Sequence, residues 1–281
     1  MTAPALAPAD AAARAERFVA LHRSGCFALP NAWDAGSARL LAALGPVALA
    51  STSAGAAWTL GRQDGAMTKA EALANARAIL AETTLPVSAD LEDGYGPTPE
   101  ACAATVRAAI EAGLAGCPIE DTTRDPAAPI HDFEAALARV RAALAAARQK
   151  GRPFVLTART ENFLHGRPDL EDTIRRLVAF AEAGADCLYA PALPDLEAIR
   201  RVVAAVAPKP VNVLIGPRAG LVPMAELAAA GVRRVSLGGA LARGAYGAAL
   251  EMGQALLAGD LPRLAAIPAH AAVNGQMRPP G

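Results

Sequence analysis

The sequence predicts an α/β fold, a (β/α)8 TIM barrel, and three observations carry that reading. Short, nearly continuous apolar runs recur eight times, as expected of parallel strands buried on both faces. Ala/Leu/Arg/Glu-rich stretches of helical length lie between them. The eight units fill roughly 230 residues with no break in composition, which fits one barrel. An open doubly wound sheet is the alternative. It favours a G-x-G-x-x-G turn after the first strand, and Pro30-Asn31-Ala32-Trp33-Asp34 supplies none.

Taken in chain order, residues 1–24 read as an extra helix ahead of the barrel. The first strand is Cys26–Pro30, and the helix after it stops at Gly45, before Pro46-Val47. Glycine there is the ordinary helix stop where the chain turns back into a strand. The second strand is Val47–Thr52, and Thr68-Lys69-Ala70-Glu71 is a capping box that opens a helix over Lys69–Ala81. The third strand, Pro86–Leu91, leads to a helix over Pro99–Ala112 with its stop at Gly113. The fourth, Cys117–Asp121, is followed by Phe133–Gln149; the fifth, Phe154–Arg159, by Leu170–Ala183 and Gly184. The last three strands are Cys187–Ala192, Val211–Ile215 and Arg234–Leu237, with a helix stop at Gly231 before the eighth. Residues 1–258 read as a single barrel domain that includes the N-terminal helix. Residues 259–281 hold four prolines and read as a tail that packs over a surface or a neighbouring subunit.

Composition bounds the function by exclusion. With 281 residues, 53% of them hydrophobic, the chain can bury a sizeable core. Basic and acidic residues balance, so neither a nucleic-acid patch nor a polybasic membrane segment is expected. No apolar run reaches the length of a membrane span, and the first twenty residues lack the apolar centre of a signal peptide. Cys26, Cys102, Cys117 and Cys187 show no C-x-x-C spacing, and three of them fall in strand-like runs. They read as buried reduced thiols of a cytoplasmic protein.

In such barrels the chemistry sits at the carboxyl ends of the strands. The first strand delivers Asn31 and Asp34 there, the second Ser51, Thr52 and Ser53 with Asp64 further on, and the third Asp90, Glu92 and Asp93. The fourth delivers Glu120 and Asp121, the fifth Arg159 and Glu161, the seventh Asn212, and the eighth Ser236, Gly238 and Gly239. The stretch Asp90-Leu91-Glu92-Asp93-Gly94-Tyr95-Gly96 is the most informative. At ~5 Å and an effective dielectric of ~20, each pair of its carboxylates repels by roughly 3 kcal/mol. A solvated acidic turn relieves that repulsion, and so does a divalent cation. The adjacency of the strands carrying Asp90, Glu92 and Glu120 favours the cation. All-oxygen ligation without histidine or thiolate points to Mg2+ or Mn2+. Asp90 and Glu92 share the strand's alternation and can face one side, whereas Asp93 has the other parity and reads as loop-structuring.

Other residues narrow the chemistry. Lys69 starts a helix, Lys150 ends one and Lys209 precedes a strand, so no lysine stands at a strand's carboxyl end. That argues against a Schiff-base aldolase and for a metal-stabilised carbanion or enolate. Ser51-Thr52-Ser53-Ala54-Gly55 offers hydroxyls and N–H groups that could hold a carboxylate; a small-residue turn for close packing is the other reading. Ser236-Leu237-Gly238-Gly239 could cradle a phosphate, but its partner loop, Gly216-Pro217-Arg218-Ala219-Gly220, contains a proline without a donor. His22, His131, His165 and His270 show no paired ligand spacing; His131 and His165 follow strands and keep an acid/base role open.

These residues resemble the phosphoenolpyruvate mutase/isocitrate lyase superfamily from about Leu29 to Ala258. The match runs in order through Ser51–Gly55, Asp64, the D-x-[DE]-x-G-[YF]-G stretch Asp90–Gly96, Ile119-Glu120-Asp121 and Ala158-Arg159-Thr160-Glu161. The resemblance implies that Asp90 ligates Mg2+ directly, with Glu92 and Glu120 holding metal-bound waters. It implies that Arg159 and the backbone of Ser51, Thr52, Ser53 and Ala54 bind a 2-oxo or 2-hydroxy carboxylate. Asp64 then sits near the reacting atom, and Asn212 is a further substrate contact. Asp64, Glu120 and Arg159 are accordingly the catalytic candidates. The resemblance also implies a homotetramer in which the last helix is exchanged between neighbouring subunits.

One loop departs from the pattern. Lyases of the superfamily carry K-[KR]-C-G-H after the fourth strand, its cysteine serving as acid/base. Here the loop is Thr122-Thr123-Arg124-Asp125-Pro126-Ala127-Ala128-Pro129-Ile130-His131, with neither cysteine nor lysine. The K-x-N-S loop of the phosphonate-handling members is absent as well. The expected function is a Mg2+-dependent lyase or decarboxylase of a small 2-oxo or 2-hydroxy dicarboxylate, with oxaloacetate fitting best because CO2 leaves without an acid cysteine. Carbon–phosphorus chemistry, with Arg124 at a second anion site, and a barrel that binds a carboxylate without turnover are the alternatives.

Overall fold

The computed structural model describes residues 8–149, 151–216 and 222–277; Lys150 and the stretch 217–221 lie outside the described residues. Its strands are β1 (Phe27–Leu29), β2 (Asn31–Ala32), β3 (Leu49–Ser51), β4 (Val87–Ser88), β5 (Gly116–Glu120), β6 (Val155–Arg159), β7 (Cys187–Tyr189), β8 (Val211–Leu214) and β9 (Arg234–Ser236). They form one parallel sheet in the order β1-β9-β8-β7-β6-β5-β4-β3-β2. Only Pro30 separates β1 from β2, so the ring closes through the chain itself. The expected first strand, Cys26–Pro30, is thus present as β1, and a second piece, β2, continues it beyond the proline. Proline has no N–H to give a ladder. Before it, β1 pairs with β9; after it, β2 pairs with β3.

Ten helices accompany the ring and its tail among the described residues: α1 (Pro8–Leu21), α2 (Ala35–Ala42), α3 (Ser53–Thr59), α4 (Lys69–Ala81), α5 (Pro99–Glu111), α6 (Phe133–Gln149), α7 (Leu170–Glu182), α8 (Leu196–Val206), α9 (Met224–Ala229) and α10 (Ala240–Leu257), followed by a 3-10 turn (Leu261–Ala266) and a short eleventh helix, α11 (His270–Gln276). The capping box at Thr68 and Glu71 is present in both directions. The helix stops read at Gly45, Gly113, Gly184 and Gly231 all have positive φ, 75°, 94°, 106° and 89°.

Side chains alternate between two environments. On β6, Leu156 and Ala158 join the large apolar layer between sheet and helices, while Val155 faces the barrel interior. At the amino-terminal end, Ala15 and Phe18 of α1 pack against Phe27, Ala48, Ala115, Val155 and Cys187 and plug the barrel. Above that plug the interior is polar: Thr157, Asn212 and Arg234 are buried there. All four cysteines are free thiols; Cys102, Cys117 and Cys187 are buried and Cys26 partly so. No helix among the described residues is long and apolar enough to cross a membrane.

Candidate active site

A cavity of about 790 Å³ opens over the carboxyl ends of the strands, lined in part by Thr52, Ser53, Ala54, Asp64, Asp90, Glu92, Glu120 and Arg159. Ser51 and Asn212 line a smaller chamber of about 50 Å³ inside the barrel, which shares Asp90 and Arg159 with the larger one. All of the residues singled out as catalytic, binding or metal candidates therefore line one or the other of two adjoining cavities.

Asp90 stands just past β4. Its N–H goes to Ser51 Oγ (2.8 Å) instead of a ladder carbonyl, which is why the strand is shorter than its apolar run. Asp90 Oδ2 accepts from the Ser53 N–H (3.1 Å) and hydroxyl (3.0 Å). Ser53 Oγ is also 3.4 Å from Asp64 Oδ1, so one hydroxyl lies between two carboxylates. Burial, and then Asp90, raise the Asp64 pKa. The packing reading of the Ser51–Gly55 turn holds at the same time: a Cβ on Gly55 would meet Trp33 Cβ at 2.6 Å.

Arg159 is the hub. Its Nη1 is 2.9 Å from Glu120 Oε1 and 4.0 Å from Asp90 Oδ1, and its Nε donates closely to Glu161. Its guanidinium lies 4.8 Å from the centre of the Tyr189 ring. Burial opposes the charge of Arg159, but Glu120 and Glu161 hold its pKa well above the ordinary value. Burial likewise raises the pKa of Glu120 and Glu161 against the pull of Arg159.

Glu92 reaches the cavity by a route the alternation argument did not anticipate. It lies beyond the strand with φ 51°, so a left-handed turn and not the pleat aims it. Its carboxylate accepts from Tyr95 Oη (3.0 Å) and Arg124 Nη2 (2.8 Å). Asp93 structures the loop as expected, accepting from the Tyr95 N–H (3.1 Å) and Arg124 Nε (2.8 Å). Arg124 also donates to the Gly65 carbonyl (3.3 Å) and rests against the Tyr95 ring, so the loop after β5 is folded across the acids. A Thr122–Ile130 bridge and the bond from Thr123 N–H to Pro129 O (2.9 Å) form its neck.

Burial, and then Asp90, push the Glu92 pKa from 4.5 up to about 7. A carboxyl raised in this way binds more protons folded than unfolded between those values, so its contribution to stability falls as pH rises through that window. Buried His22, pushed down to about 3, works in the opposite sense between 3 and 6.5, so the clean comparison is between variants. We expect Glu92→Gln to be no more stable than wild type near pH 4.5 and to gain on it up to pH 7, by about 2–3 kcal/mol in the absence of metal. Denaturant titrations across pH measure this; a difference that does not change with pH would contradict it.

Other strand-end residues have structural duties. Asp34 caps α2 through the Ser37 N–H (2.7 Å). Asp121 is buried and bonded by the Thr160 hydroxyl (2.8 Å), the Glu161 N–H (2.8 Å) and Arg176 (3.2 Å), which fixes the end of β6. Asn31 Oδ1 takes the N–H groups of Leu237 (3.0 Å) and Gly238 (2.9 Å), two donors a phosphate cradle would need. The Pro217–Gly220 part of the partner loop lies outside the described residues. His165 lines the cavity; His131 sits at the loop neck, its N–H on the Asp121 carbonyl (2.9 Å).

Cavity residues not picked out from sequence include Trp58, Tyr189 and Arg243. Tyr189 pairs in register with Arg159, so its place at a strand's carboxyl end was a usable signal hidden in an apolar run. Trp58 and Arg243 come from helices α3 and α10, which a search of strand ends does not reach.

Comparison with known proteins agrees with this architecture. A family model for phosphoenolpyruvate phosphomutase matches residues 18–257, most of the chain. The chain belongs to the phosphoenolpyruvate phosphomutase family. Relatives in the surrounding phosphoenolpyruvate mutase/isocitrate lyase superfamily include lyases and mutases that act on small carboxylates. A solved structure from Burkholderia cenocepacia J2315, provisionally described as a lyase/mutase, is 48% identical with a TM-score of 0.92, covering 94% of this chain and 96% of that one. An uncharacterized protein of Mycobacterium tuberculosis (strain ATCC 25618 / H37Rv) is 34% identical over 220 residues, 78% of this chain and 80% of its own. Oxaloacetate acetylhydrolase, solved in complex with its product oxalate, is 30% identical with a TM-score of 0.79, covering 86% of each chain.

Proposed function

We propose that this family member is a Mg2+-dependent carbon–carbon lyase or decarboxylase that acts on a small 2-oxo or 2-hydroxy dicarboxylate through a pyruvate enolate, with oxaloacetate fitting best. The observation that carries the reading is the charge arrangement at the rim. Arg159 is a buried cation among Asp90, Glu120 and Glu161, placed where a substrate carboxylate would replace part of their company. Oxaloacetate acetylhydrolase, a relative crystallised with oxalate, supports a ligand of this kind.

The donor set fits a hard dication. Burial first, and the neighbouring carboxylates after it, make Asp64, Glu92, Glu120 and Glu161 hold protons more tightly than free carboxylates, and a bound dication would offset the second of these. Among the described residues no group of three His, Cys, Asp or Glu side chains is arranged to hold an ion by itself, so Mg2+ here would have to take most of its ligands from water and substrate. Asp90 would hold Mg2+ directly, Glu92 and Glu120 would hold its waters, and the bound ion would supply Lewis-acid stabilisation of enolate charge.

The remaining roles belong to the chain. Arg159, kept charged by Glu120 and Glu161, would bind the carboxylate and stabilise charge developing beside it. In the first turn of α3 the Ser53 N–H is taken by Asp90, while the N–H of Ala54, a cavity-lining residue, has no partner within the helix and would be a further donor to the carboxylate. Asn212 would bind from below and Arg243, at the mouth, would meet the second carboxylate. Pro126, Pro129 and Leu164 give the cavity an apolar stretch of wall that would limit water beside a bound substrate. Loss of CO2 demands no acid cysteine, in keeping with the loop after β5.

A panel of 2-oxo and 2-hydroxy acids with Mg2+, read by pyruvate release, tests the reading. Phosphorus NMR with phosphonopyruvate separates it from carbon–phosphorus chemistry. Oxalate-induced stabilisation with no turnover of any 2-oxo acid would mark a binding barrel instead.

The reading includes a homotetramer with exchanged C-terminal helices. An apolar groove of about 380 Å³ lies on the outer face of the ring, lined by Ala28, Leu41, Leu44, Met224 and Val235 among others. That is where the last helix of such a barrel would pack. Here α10 is buried at Ala242, sets Tyr246 edge-on to Trp58 at 6.0 Å, and then carries exposed Leu250, Leu256 and Leu257. We expect light scattering to give a tetramer and the double change Leu250→Glu, Leu257→Glu to lower the assembly state. A monomeric wild type would contradict the exchange.

A further inference from the structure

Beneath the catalytic layer lies a buried arginine with no acid beside it. Arg234, on β9, is 3% exposed and points into the barrel. It donates from Nε to Asn212 Oδ1 (2.9 Å) and from Nη2 to Thr157 Oγ1 (2.9 Å), and its Nη1 is 3.2 Å from His22 Nε2. The imidazole is an acceptor there, because its Nδ1 lies 2.7 Å from the Phe18 carbonyl and must carry the hydrogen. Every partner is therefore neutral, and among the described residues Arg234 makes no ion pair. A buried cation left in neutral company is costly unless an anion comes to it.

The geometry points to Arg234 as a positioning residue of the substrate site: it locks the Asn212 carboxamide with its N–H2 toward the inner chamber and places an uncompensated positive charge beneath the carboxylate to be bound. This rests on the proposed carboxylate substrate. A guanidinium only donates, so an Asn212 turned by half a rotation would set N–H2 against N–H and is excluded. With Oδ1 held by Arg234, Nδ2 gives one hydrogen to Ser236 Oγ (3.0 Å) and keeps the second for the chamber that Asp90 and Arg159 also line. His22 belongs to the turn that ends α1, so the plugging helix supports the catalytic layer through one side chain.

The test uses oxalate as the probe, titrated into the full-length protein with Mg2+ present. Wild type is expected to bind. Arg234→Met should bind roughly 10- to 100-fold more weakly, the scale of a lost charge-assisted hydrogen bond. Asn212→Ala should lose a similar factor, and adding it to Arg234→Met should cost little more, because one residue acts through the other. Arg234→Lys keeps the charge without the fork and should recover part of the affinity; it carries the same cycle if Arg234→Met does not fold. A folded Arg234 variant that binds oxalate like wild type, or losses that simply add, would overturn the role of Arg234 while leaving the substrate reading intact. Failure of wild type to bind oxalate would instead overturn that reading, and this inference with it.

Discussion

Asp90→Ala is expected to lose Mg2+-dependent pyruvate release by about 10³-fold or more, the scale of removing a main electrostatic stabiliser. Its melting temperature should hold or rise in the same experiment. Asp90 contributes to the raised pKa of Asp64, Glu92, Glu120 and Glu161, so its removal relieves repulsion at four neighbours. What it gives up are the bonds from Ser53, a long one from the Glu92 N–H (3.4 Å) and the 4.0 Å approach of Arg159; the Ser53 hydroxyl can still turn to Asp64, and Arg159 keeps Glu120 and Glu161. A residue kept for folding would lose stability first. A residue kept for a cation loses function while the metal-free protein gains. Full activity in this variant would end the assignment of Asp90 to the metal.

Arg159→Met should damage both function and fold. It strands Glu120 and Glu161 without their cation, and breaking a buried pair from one side costs about 3–5 kcal/mol. The sign of the pH dependence follows from the same acids. Both already have raised pKa values, and removing Arg159 raises them further. The penalty is therefore full where unfolded carboxyls are ionised and shrinks as pH falls and the buried ones protonate. Denaturant titrations at pH 7.5 and pH 5 should show the larger loss at the higher pH; an equal loss at both would argue that Arg159 matters through packing. Arg159→Lys should not restore activity, because an ammonium cannot engage Glu120 and Glu161 together while lying on the Tyr189 ring.

The barrel was legible because its signals are local and repeated. Helices over Lys69–Ala81 and Phe133–Gln149 begin and end where the sequence places them, and glycine stops fell at positive φ. The splitting of the first strand was less visible, although Pro30 announces a gap in the ladder. Rim residues on strand ends could be read by position alone. What could not be read was which strand-end acids turn outward to caps and scaffolds. Asp34 and Asp121 look like Asp90 in sequence and differ only in the partners tertiary structure gives them. Arg234 was hidden for a related reason: an arginine opening a strand reads as surface, and only the parity of β9 turns it inward.

The proposed site depends on a metal, takes a pyruvyl carboxylate and is built on Asp90, Glu120 and Arg159. The most direct measurement is pyruvate release from oxaloacetate by the wild-type protein, with Mg2+ and again with excess chelator, corrected for the uncatalysed metal-promoted rate. Turnover above that background is expected with Mg2+, abolished by chelator and restored when Mg2+ is returned. Turnover indifferent to the chelator, or none above background with any metal, would contradict it.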